Sequence, residues 1–321
     1  MKRIGIGLLG LGNIGSGTYK VLEMNRSHIE QTTGLDLRIL RILETDIERD
    51  RGFTVARGVF TQNAEEIFSD PEIDIVIELL GGIEPATSFM VSALKAGKNV
   101  VTANKAAVAE NYELLTEAAT ASGVKFRFEA SVGGGIPLIG AITEHLCANE
   151  FTELLGILNG TTNYILTKMD EDGRAYEDVL KEAQALGFAE ADPTADVEGL
   201  DVANKLSILM SLVFGKRVRP EDIPTRGITD ITKEDISEAA SQGCVIKLLA
   251  SAYRKEDGVE CFVQPTWLNK EHPLADVKNE FNALFIKGNA VDDLMLYGKG
   301  AGPFPTASAV LGDVITIAKK L

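Results

Sequence analysis

The sequence predicts an α/β protein: a Rossmann-type dinucleotide-binding domain with a mostly parallel sheet, and a second α+β domain. A glycine-rich turn at residues 10–15 lies between an apolar run and a helical pattern at the start of the chain. Short apolar runs then alternate with helical patterns as far as residue 129, which predicts parallel strands. After residue 243 apolar runs follow one another with only turns between them, which predicts a second sheet.

The glycine-rich turn has the pattern G-x-G-x-x-G and follows the apolar run 4–9. In this motif the first glycine allows a tight turn, the second lets a pyrophosphate approach the backbone, and the third lets the helix pack closely on the strand. The phosphates would lie at the N-terminus of a helix beginning near Asn13, where unpaired N–H groups favour anions. The residues that we expect to bind a dinucleotide here are Gly10, Gly12, Asn13, Ile14 and Gly15.

The second predicted strand, 35–43, ends at Glu44. An acidic residue at this strand tip holds the adenosine ribose hydroxyls and repels a 2′-phosphate, so we predict NAD rather than NADP. Glu44 lies further from the glycines than the usual distance of about 20 residues, which an insertion at 28–33 would explain. Arg49 and Arg51 follow closely and would suit a 2′-phosphate, so NADP stays open.

Two more buried strands are predicted at 74–80 and 99–102, with a helix between Pro85 and Gly97. Ligands bind beyond the carboxyl ends of the strands in parallel sheets, so the turns that follow these runs should lie on the same rim as the glycine turn. From these turns we expect the cofactor site to include Leu80, Gly81, Thr102, Asn104 and Lys105.

The domain boundary is predicted near a run of three glycines and a proline, 133–137, which follows a further strand at 124–129. This loop is interpreted either as a hinge or as a functional loop. We expect residues 1–130 to form the dinucleotide-binding domain and 131–297 the substrate domain. A second glycine turn at 298–303 and a helix of small residues are expected to return the chain to the first domain, so that 298–321 completes it.

Two polar segments stand out in the second domain. The first, 159–163, follows a predicted strand and precedes a helix expected from Tyr164, so it either binds a small polar ligand or caps that helix. The second, 187–205, is rich in acids and places Asp201 and Lys205 four residues apart on a largely apolar helix. Such a pair is often a surface ion pair, but a lysine on a buried helix beside carboxylates is better explained as a reacting group.

Composition restricts the partners. The formal charge of −15 argues against nucleic acid and anionic membranes. Three cysteines without regular spacing indicate a reducing compartment, expected to be the cytoplasm, and no structural zinc. No apolar run reaches the roughly 18 residues of a membrane span. The expected partner is therefore a small-molecule substrate.

Taken together, these motifs resemble homoserine dehydrogenase over nearly the whole chain. Segments 159–164 and 190–205 are specific to that family, and 101–105, 129–137 and 300–310 also match its pattern. Many members carry a C-terminal ACT regulatory domain, whereas this chain, ending at Leu321, resembles a catalytic core without it. The family reduces L-aspartate 4-semialdehyde reversibly to L-homoserine with NAD(P)H, for threonine and methionine biosynthesis.

The resemblance also implies roles for individual residues. Lys205 resembles the catalytic lysine and Lys105 a second active-site lysine. The residues implied to hold the substrate or support the lysine are Glu190, Asp196, Asp201, Asn159, Gly160 and Thr161. A monovalent cation, usually sodium, is implied at Glu129 and the backbone of Val132, Gly134 and Ile136, and a cofactor contact at Gly300. Leu43 stands where NADP-using members often have arginine, which favours NAD, and members are typically dimers or larger.

The chemistry requires an acid/base group, and none of the three histidines lies in a motif turn. Lys205 as an ammonium would polarise the carbonyl and protonate the alkoxide, and Lys105 would help to stabilise the developing charge. Two other interpretations stay open. One is a related Rossmann enzyme, a semialdehyde or dipicolinate-type reductase. The other is a non-catalytic dinucleotide sensor, which would have no use for these lysines and carboxylates.

Overall fold

The computed structural model describes residues 1–321, and the chain forms two compact units. Unit 1 comprises residues 1–135 and 302–321, and unit 2 comprises residues 136–301. The chain passes between the units a few residues later than the loops predicted, at 135/136 and again at 301/302. The fold class is as predicted: unit 1 contains a parallel sheet with helices, and unit 2 an antiparallel sheet with helices.

The sheet of unit 1 has six parallel strands in the order β3-β2-β1-β4-β5-β6. Its strands are β1 (Lys2–Leu9), β2 (Leu35–Leu43), β3 (Phe60–Thr61), β4 (Ile75–Glu78), β5 (Asn99–Thr102) and β6 (Phe126–Arg127). The strand order reverses between β1 and β4, which is the point where doubly wound sheets bind ligands beyond their carboxyl ends. The glycine turn and the turns after β4 and β5 are therefore on one rim.

The helices of unit 1 are α1 (Asn13–Thr33), α2 (Glu65–Phe68), α3 (Ala86–Lys95), α4 (Lys105–Ser122) and, from the end of the chain, α11 (Pro303–Ala318). Helix α11 packs against α1. The close approach of the two helices depends on Gly17 of α1, since a Cβ there would lie 2.6 Å from the carbonyl oxygen of Pro303 in α11. Val310 and Val314 of α11 join the core formed by β1, so burial of apolar area holds the helix in unit 1.

Unit 2 is built on a five-stranded antiparallel sheet in the order β11-β10-β7-β8-β9. Its strands are β7 (Phe151–Ile157), β8 (Cys244–Lys255), β9 (Gly258–Asn269), β10 (Phe281–Gly288) and β11 (Asp292–Lys299). Its helices are α5 (Leu138–Gly140), α6 (Gly160–Asp172), α7 (Tyr176–Ala185), α8 (Thr194–Val197), α9 (Leu200–Phe214) and α10 (Lys233–Ser241). Central β7 carries the chain directly into α6, and α9 packs on β8 and β9.

Three local predictions differ from the structure. The helix expected from Tyr164 begins at Gly160, because the Asn159 side chain caps it. The strand expected over 124–129 is limited to β6, because residues 129–131 turn into a 3₁₀ helix. Helices α7 and α10 were not predicted; each buries only two side chains, so few apolar positions mark it in the sequence. The three cysteines are free, and no helix combines the length and apolar character that crossing a membrane requires.

Candidate active site

The glycine turn of unit 1 has the geometry of an anion cradle. Gly10 has φ +93°, a conformation that favours glycine, and a Cβ on Gly15 would lie 2.2 Å from the Gly10 carbonyl oxygen. A Cβ on Gly12 would meet no atom within 4 Å, so the turn is open where a pyrophosphate would approach. Helix α1 begins at Asn13 without a side-chain cap, which leaves N–H groups for a ligand. These residues fit a dinucleotide.

Glu44 follows β2 and is already hydrogen-bonded within unit 1. Its Oε2 accepts from the Leu11 N–H at 3.2 Å and lies 3.0 Å from Arg51 Nη2. Burial alone would raise the pKa of Glu44, but the N–H groups of Asp46 and Leu11 and the Arg51 guanidinium outweigh burial and hold it below its usual value. The carboxylate is thus ionised at neutral pH and neutralised by one arginine.

The two arginines considered for a 2′-phosphate differ in position. The Arg51 side chain is 6% exposed and donates to the carbonyl oxygens of Leu11, Asp46 and Arg49. Arg49 itself is exposed. Both line a cavity of about 210 Å³, together with Arg57 and the side chains of the loop that follows Glu44. A positively charged cavity is therefore present beside the predicted ribose site.

The turns after β4 and β5 are tied to each other. Asn104 caps α4 by accepting from the Ala107 N–H at 3.1 Å, and it donates to the Gly82 carbonyl oxygen at 2.6 Å. Thr102 donates to Glu78, a fully buried acid at the end of β4. Glu78 was not among the predicted site residues, although an acidic residue at the end of an apolar strand could have indicated it. Lys105 is the first residue of α4.

In unit 2, Lys205 is buried on α9. The residue is 7% exposed, and its Nζ donates to Asp201 Oδ2 at 2.7 Å and to the Leu158 carbonyl oxygen at 2.6 Å. Asp201 is 5% exposed, so the pair is internal rather than a surface ion pair. The helix places the two side chains one turn apart on the same face, at the end of β7 where Leu158 stands.

The polar segment after β7 joins this pair into a network. Asn159 Nδ2 donates to Asp201 Oδ2 at 2.9 Å and to Asp196 Oδ1 at 2.7 Å, while its Oδ1 caps α6. Thr161 Oγ1 is 3.2 Å from Asp196 Oδ2. Gly160 lets the chain pass close to the residue that precedes β10, since a Cβ on Gly160 would lie 2.8 Å from the Glu280 carbonyl oxygen. Capping and ligand binding are thus compatible functions of one segment.

Several residues lie outside this network. Glu190 is exposed on the loop after α7, where Gln184 donates to its carbonyl oxygen. Asn163 anchors a loop by donating to three carbonyl oxygens, those of Val277, Asn279 and Phe281. Gly300 leaves space for a buried asparagine, because a Cβ there would lie 2.0 Å from Asn282 Nδ2.

The loop that begins at Glu129 depends on the C-terminal helix. Glu129 is 8% exposed, and its N–H donates to Asp313 Oδ2 of α11 at 2.8 Å. Burial raises the pKa of Asp313 to about 6, against the opposing effects of the Glu129 N–H and Arg127. Gly133 and Gly134 have φ of +75° and +56°. No three His, Cys, Asp or Glu side chains are grouped to hold a metal ion, so a cation here would rely on one carboxylate and backbone carbonyls.

Comparison with known proteins gives consistent results across the chain. One matching family model is described as homoserine dehydrogenase and covers residues 137–315; another is described as its NAD binding domain and covers residues 10–129. The homoserine dehydrogenase of Bacillus subtilis is 45% identical, with 100% of this chain and 74% of that protein aligned.

Solved structures of homoserine dehydrogenases are also similar to this chain. A homoserine dehydrogenase from Thiobacillus denitrificans superposes with a TM-score of 0.95 at 46% identity, over 99% of this chain and 74% of that one. A putative homoserine dehydrogenase from Archaeoglobus fulgidus superposes with a TM-score of 0.88 at 33% identity, over 98% of this chain and 99% of that one. The similarity therefore extends over both units.

Proposed function

The chain belongs to the homoserine dehydrogenase family, and on that premise we propose that Lys205 is the proton donor of its reaction. The enzyme is an oxidoreductase that reduces L-aspartate 4-semialdehyde to L-homoserine with a nicotinamide cofactor. Family membership does not favour the other reductases or the non-catalytic sensor. The observation that carries the proposal is the buried Lys205–Asp201 pair. Homoserine-dependent reduction of NAD or NADP, followed by absorbance, tests the activity, and its absence would contradict it.

The proposed mechanism assigns proton transfer to unit 2. When bound, the nicotinamide cofactor supplies or accepts the hydride. The Lys205 ammonium polarises the aldehyde oxygen and donates a proton as negative charge develops there, and in the reverse direction neutral Lys205 accepts the hydroxyl proton. Asp201 orients Lys205, because its Oδ2 accepts from Nζ at 2.7 Å. The loss of turnover expected on replacing Lys205 is argued in the Discussion.

Substrate binding is proposed for the carboxylates of the same network. The substrate carries an ammonium group, which Asp196, Asp201 and Glu190 suit as acceptors. Asp196 and Asp201 are linked through Asn159, while Glu190 lies on an exposed loop and would contribute when substrate is present. Thr161 and Gly160 complete the proposed set. Isothermal titration with homoserine measures this binding; an unchanged affinity in Asp196→Ala would contradict the assignment.

Cofactor binding is proposed for the rim of unit 1. Its support is the open glycine turn, the Glu44 carboxylate and the two linked turns after β4 and β5. Lys105 is also proposed to help stabilise the developing charge. The proposed contacts on this rim and beyond it are Leu80, Gly81, Thr102, Asn104, Lys105 and Gly300. Quenching of protein fluorescence by NADH measures the affinity, and failure to bind either dinucleotide would contradict the proposal.

We further propose that NAD is preferred over NADP and that Arg51 determines the size of this preference. Arg51 neutralises Glu44, so its removal would leave the carboxylate without a positive partner and its negative charge facing any 2′-phosphate. In Arg51→Met we expect kcat/KM with NADP to fall about tenfold, since a charge-assisted hydrogen bond contributes roughly 1.5–3 kcal/mol, and kcat/KM with NAD to change less than about threefold. Steady-state kinetics with both cofactors measure this.

A matched control for Arg51→Met is Arg57→Met. Arg57 lines the same cavity but is highly exposed and pairs with exposed Glu48, so its pairing contributes little. We expect this variant to leave the ratio of the two kcat/KM values nearly unchanged. Improved use of NADP in Arg51→Met, or an equal loss with both cofactors, would show that Arg51 does not discriminate between them.

A monovalent cation is proposed at residues 129–136, bound by the Glu129 carboxylate and the backbone of Val132, Gly134 and Ile136, with sodium the expected ion. Its support is a buried carboxylate followed by two glycines with positive φ, a backbone that can turn carbonyl oxygens toward an ion. The enzyme transferred to choline buffer should lose activity that NaCl restores and choline chloride does not. Equal activity in both buffers would contradict the cation site.

A homodimer or larger assembly is proposed through one face of the sheet of unit 2. Tyr253, Phe262, Met295 and Tyr297 lie on the same face by strand register and are all partly exposed. Tyr297 is 51% exposed, and exposed apolar surface of this kind marks interaction sites. Sedimentation velocity at micromolar concentration should show an oligomer; a monomer would contradict it.

We propose a cytoplasmic location. The support is chemical: the three cysteines are free, as expected for a protein of a reducing compartment. Cell fractionation of the native organism, with activity followed in each fraction, is the direct test. Recovery of the activity in an oxidising compartment would contradict this location.

A further inference from the structure

Glu78 is the most deeply buried carboxylate on the rim of unit 1. It is the last residue of β4, between Leu9 of β1 and Thr102 of β5, and its exposure is 0%. A carboxylate in such a position is costly unless hydrogen bonds compensate for its lost hydration. An apolar side chain would fill the same place in the sheet at no such cost, so the carboxylate needs an explanation beyond packing.

The hydrogen bonds of Glu78 come from two different turns. From the turn after β4, the Leu80 N–H donates to Oε1 at 2.7 Å, and the Gly81 N–H also acts to lower the pKa of the carboxyl. From the end of β5, the Thr102 hydroxyl donates to Oε2 at 2.6 Å, and the Asn104 side chain, from the turn that follows, also acts to lower the pKa of the carboxyl. Even so, burial raises the pKa of Glu78 above its usual value.

The two turns are connected again beyond Glu78. The Asn104 N–H donates to Thr102 Oγ1 at 2.9 Å, and Asn104 Nδ2 donates to the Gly82 carbonyl oxygen at 2.6 Å. The hydrogen bonds therefore close a ring, with Glu78 at its base and the contact between Asn104 and Gly82 at its tip. Displacing one turn requires breaking bonds of the other, and Lys105 follows directly on this ring.

We propose that Glu78 is a positioning residue for the dinucleotide, which fixes the turns 79–82 and 102–105 relative to each other before the cofactor binds. This inference rests on the proposed cofactor contacts of those turns. Glu78 is too deeply buried to touch the cofactor and acts through Leu80, Gly81, Thr102 and Asn104. Preorganised turns reduce the ordering that binding would otherwise require, so the effect is expected in cofactor affinity.

Glu78→Gln tests the proposal. Glutamine keeps the shape of the side chain but offers one acceptor oxygen in place of two and carries no charge, so either the Leu80 N–H or the Thr102 hydroxyl loses the oxygen to which it donates, and the remaining hydrogen bond is weaker. We expect the Kd for NADH and the KM for NAD to rise about tenfold, with the KM for homoserine unchanged and kcat within about threefold. Glu78→Asp, which keeps the charge, should recover part of the affinity.

Asp74→Asn is the matched control. Asp74 immediately precedes the same strand at the opposite edge of the sheet, where its carboxylate accepts from the Gly5 N–H at 2.8 Å. Both variants replace a carboxylate that binds backbone N–H groups, but only Glu78 lies on the cofactor rim. Asp74→Asn is expected to lower the melting temperature and leave NADH affinity within twofold.

A double-mutant cycle with Thr102→Val gives a second measurement. Thr102 belongs to the same ring of hydrogen bonds. The loss of NADH binding free energy in the double variant should therefore be clearly smaller than the sum of the losses in the two single variants. Additive effects, an unchanged Kd in folded Glu78→Gln, or an equal loss in Asp74→Asn would overturn the proposal. If the unmodified enzyme bound no dinucleotide at all, the proposed cofactor site would fail instead.

Discussion

Lys205→Met is expected to lower kcat for homoserine oxidation by about 10³–10⁴-fold, because it removes the proposed proton acceptor and, with it, the positive charge that would develop beside the reacting oxygen. Methionine fills the buried position without adding a charge. The Kd for NADH should stay within twofold, since Lys205 is not among the proposed cofactor contacts, all of which except Gly300 lie in unit 1. Stopped-flow and steady-state assays measure kcat, and fluorescence titration measures the affinity.

Lys247→Met is the control for this variant. Lys247 is also a buried lysine of unit 2, at 4% exposure, and its Nζ donates to the Val277 carbonyl oxygen at 2.6 Å and to Asn163 at 3.1 Å. Burial lowers its pKa to about 8. Its replacement should cost stability and leave kcat within about threefold. Near-normal homoserine oxidation by Lys205→Met, or an equal loss of kcat in Lys247→Met, would exclude Lys205 as the acid/base.

Much of the fold was accessible from the sequence because its elements have strong local signals. Strand β2 was predicted over 35–43, as observed, because its apolar run is bounded by Gly34 and Glu44. Helices α7 and α10 were not predicted, because each lies mostly on the surface and buries two side chains. An element with few buried apolar side chains offers few positions by which the sequence alone could identify it.

The proposed site was accessible only in part. The spacing of Asp201 and Lys205 on an apolar helix predicted a buried pair, and the structure shows both buried. Two interactions were not predicted: the pairing of Glu44 with Arg51, and the ring around Glu78. Arg51 follows Glu44 closely, but its pairing depends on how the loop after β2 folds back on itself. The ring joins residues 24 positions apart, and that contact is set by the strand order, which spacing along the chain does not encode.

Asp201→Asn is expected to have the second-largest effect, on stability as well as on turnover. The change leaves the Lys205 ammonium beside a neutral amide, and breaking a buried ion pair by removing one charge typically costs 3–5 kcal/mol. We expect the free energy of unfolding to fall by about that amount, and kcat to fall at least about 100-fold because Lys205 is no longer oriented. Urea unfolding and steady-state assays measure the two effects.

The double variant Lys205→Met, Asp201→Asn separates the two effects. Once the ammonium is absent, no uncompensated positive charge remains, so the free energy of unfolding should recover most of the loss seen in Asp201→Asn. Turnover should not recover, because the proton donor is gone. Stability that stays as low as in the single variant would mean that Asp201 serves the fold through contacts other than Lys205. Turnover that returns would mean that proton transfer in this enzyme does not pass through Lys205, since only a different acid/base could then supply the proton.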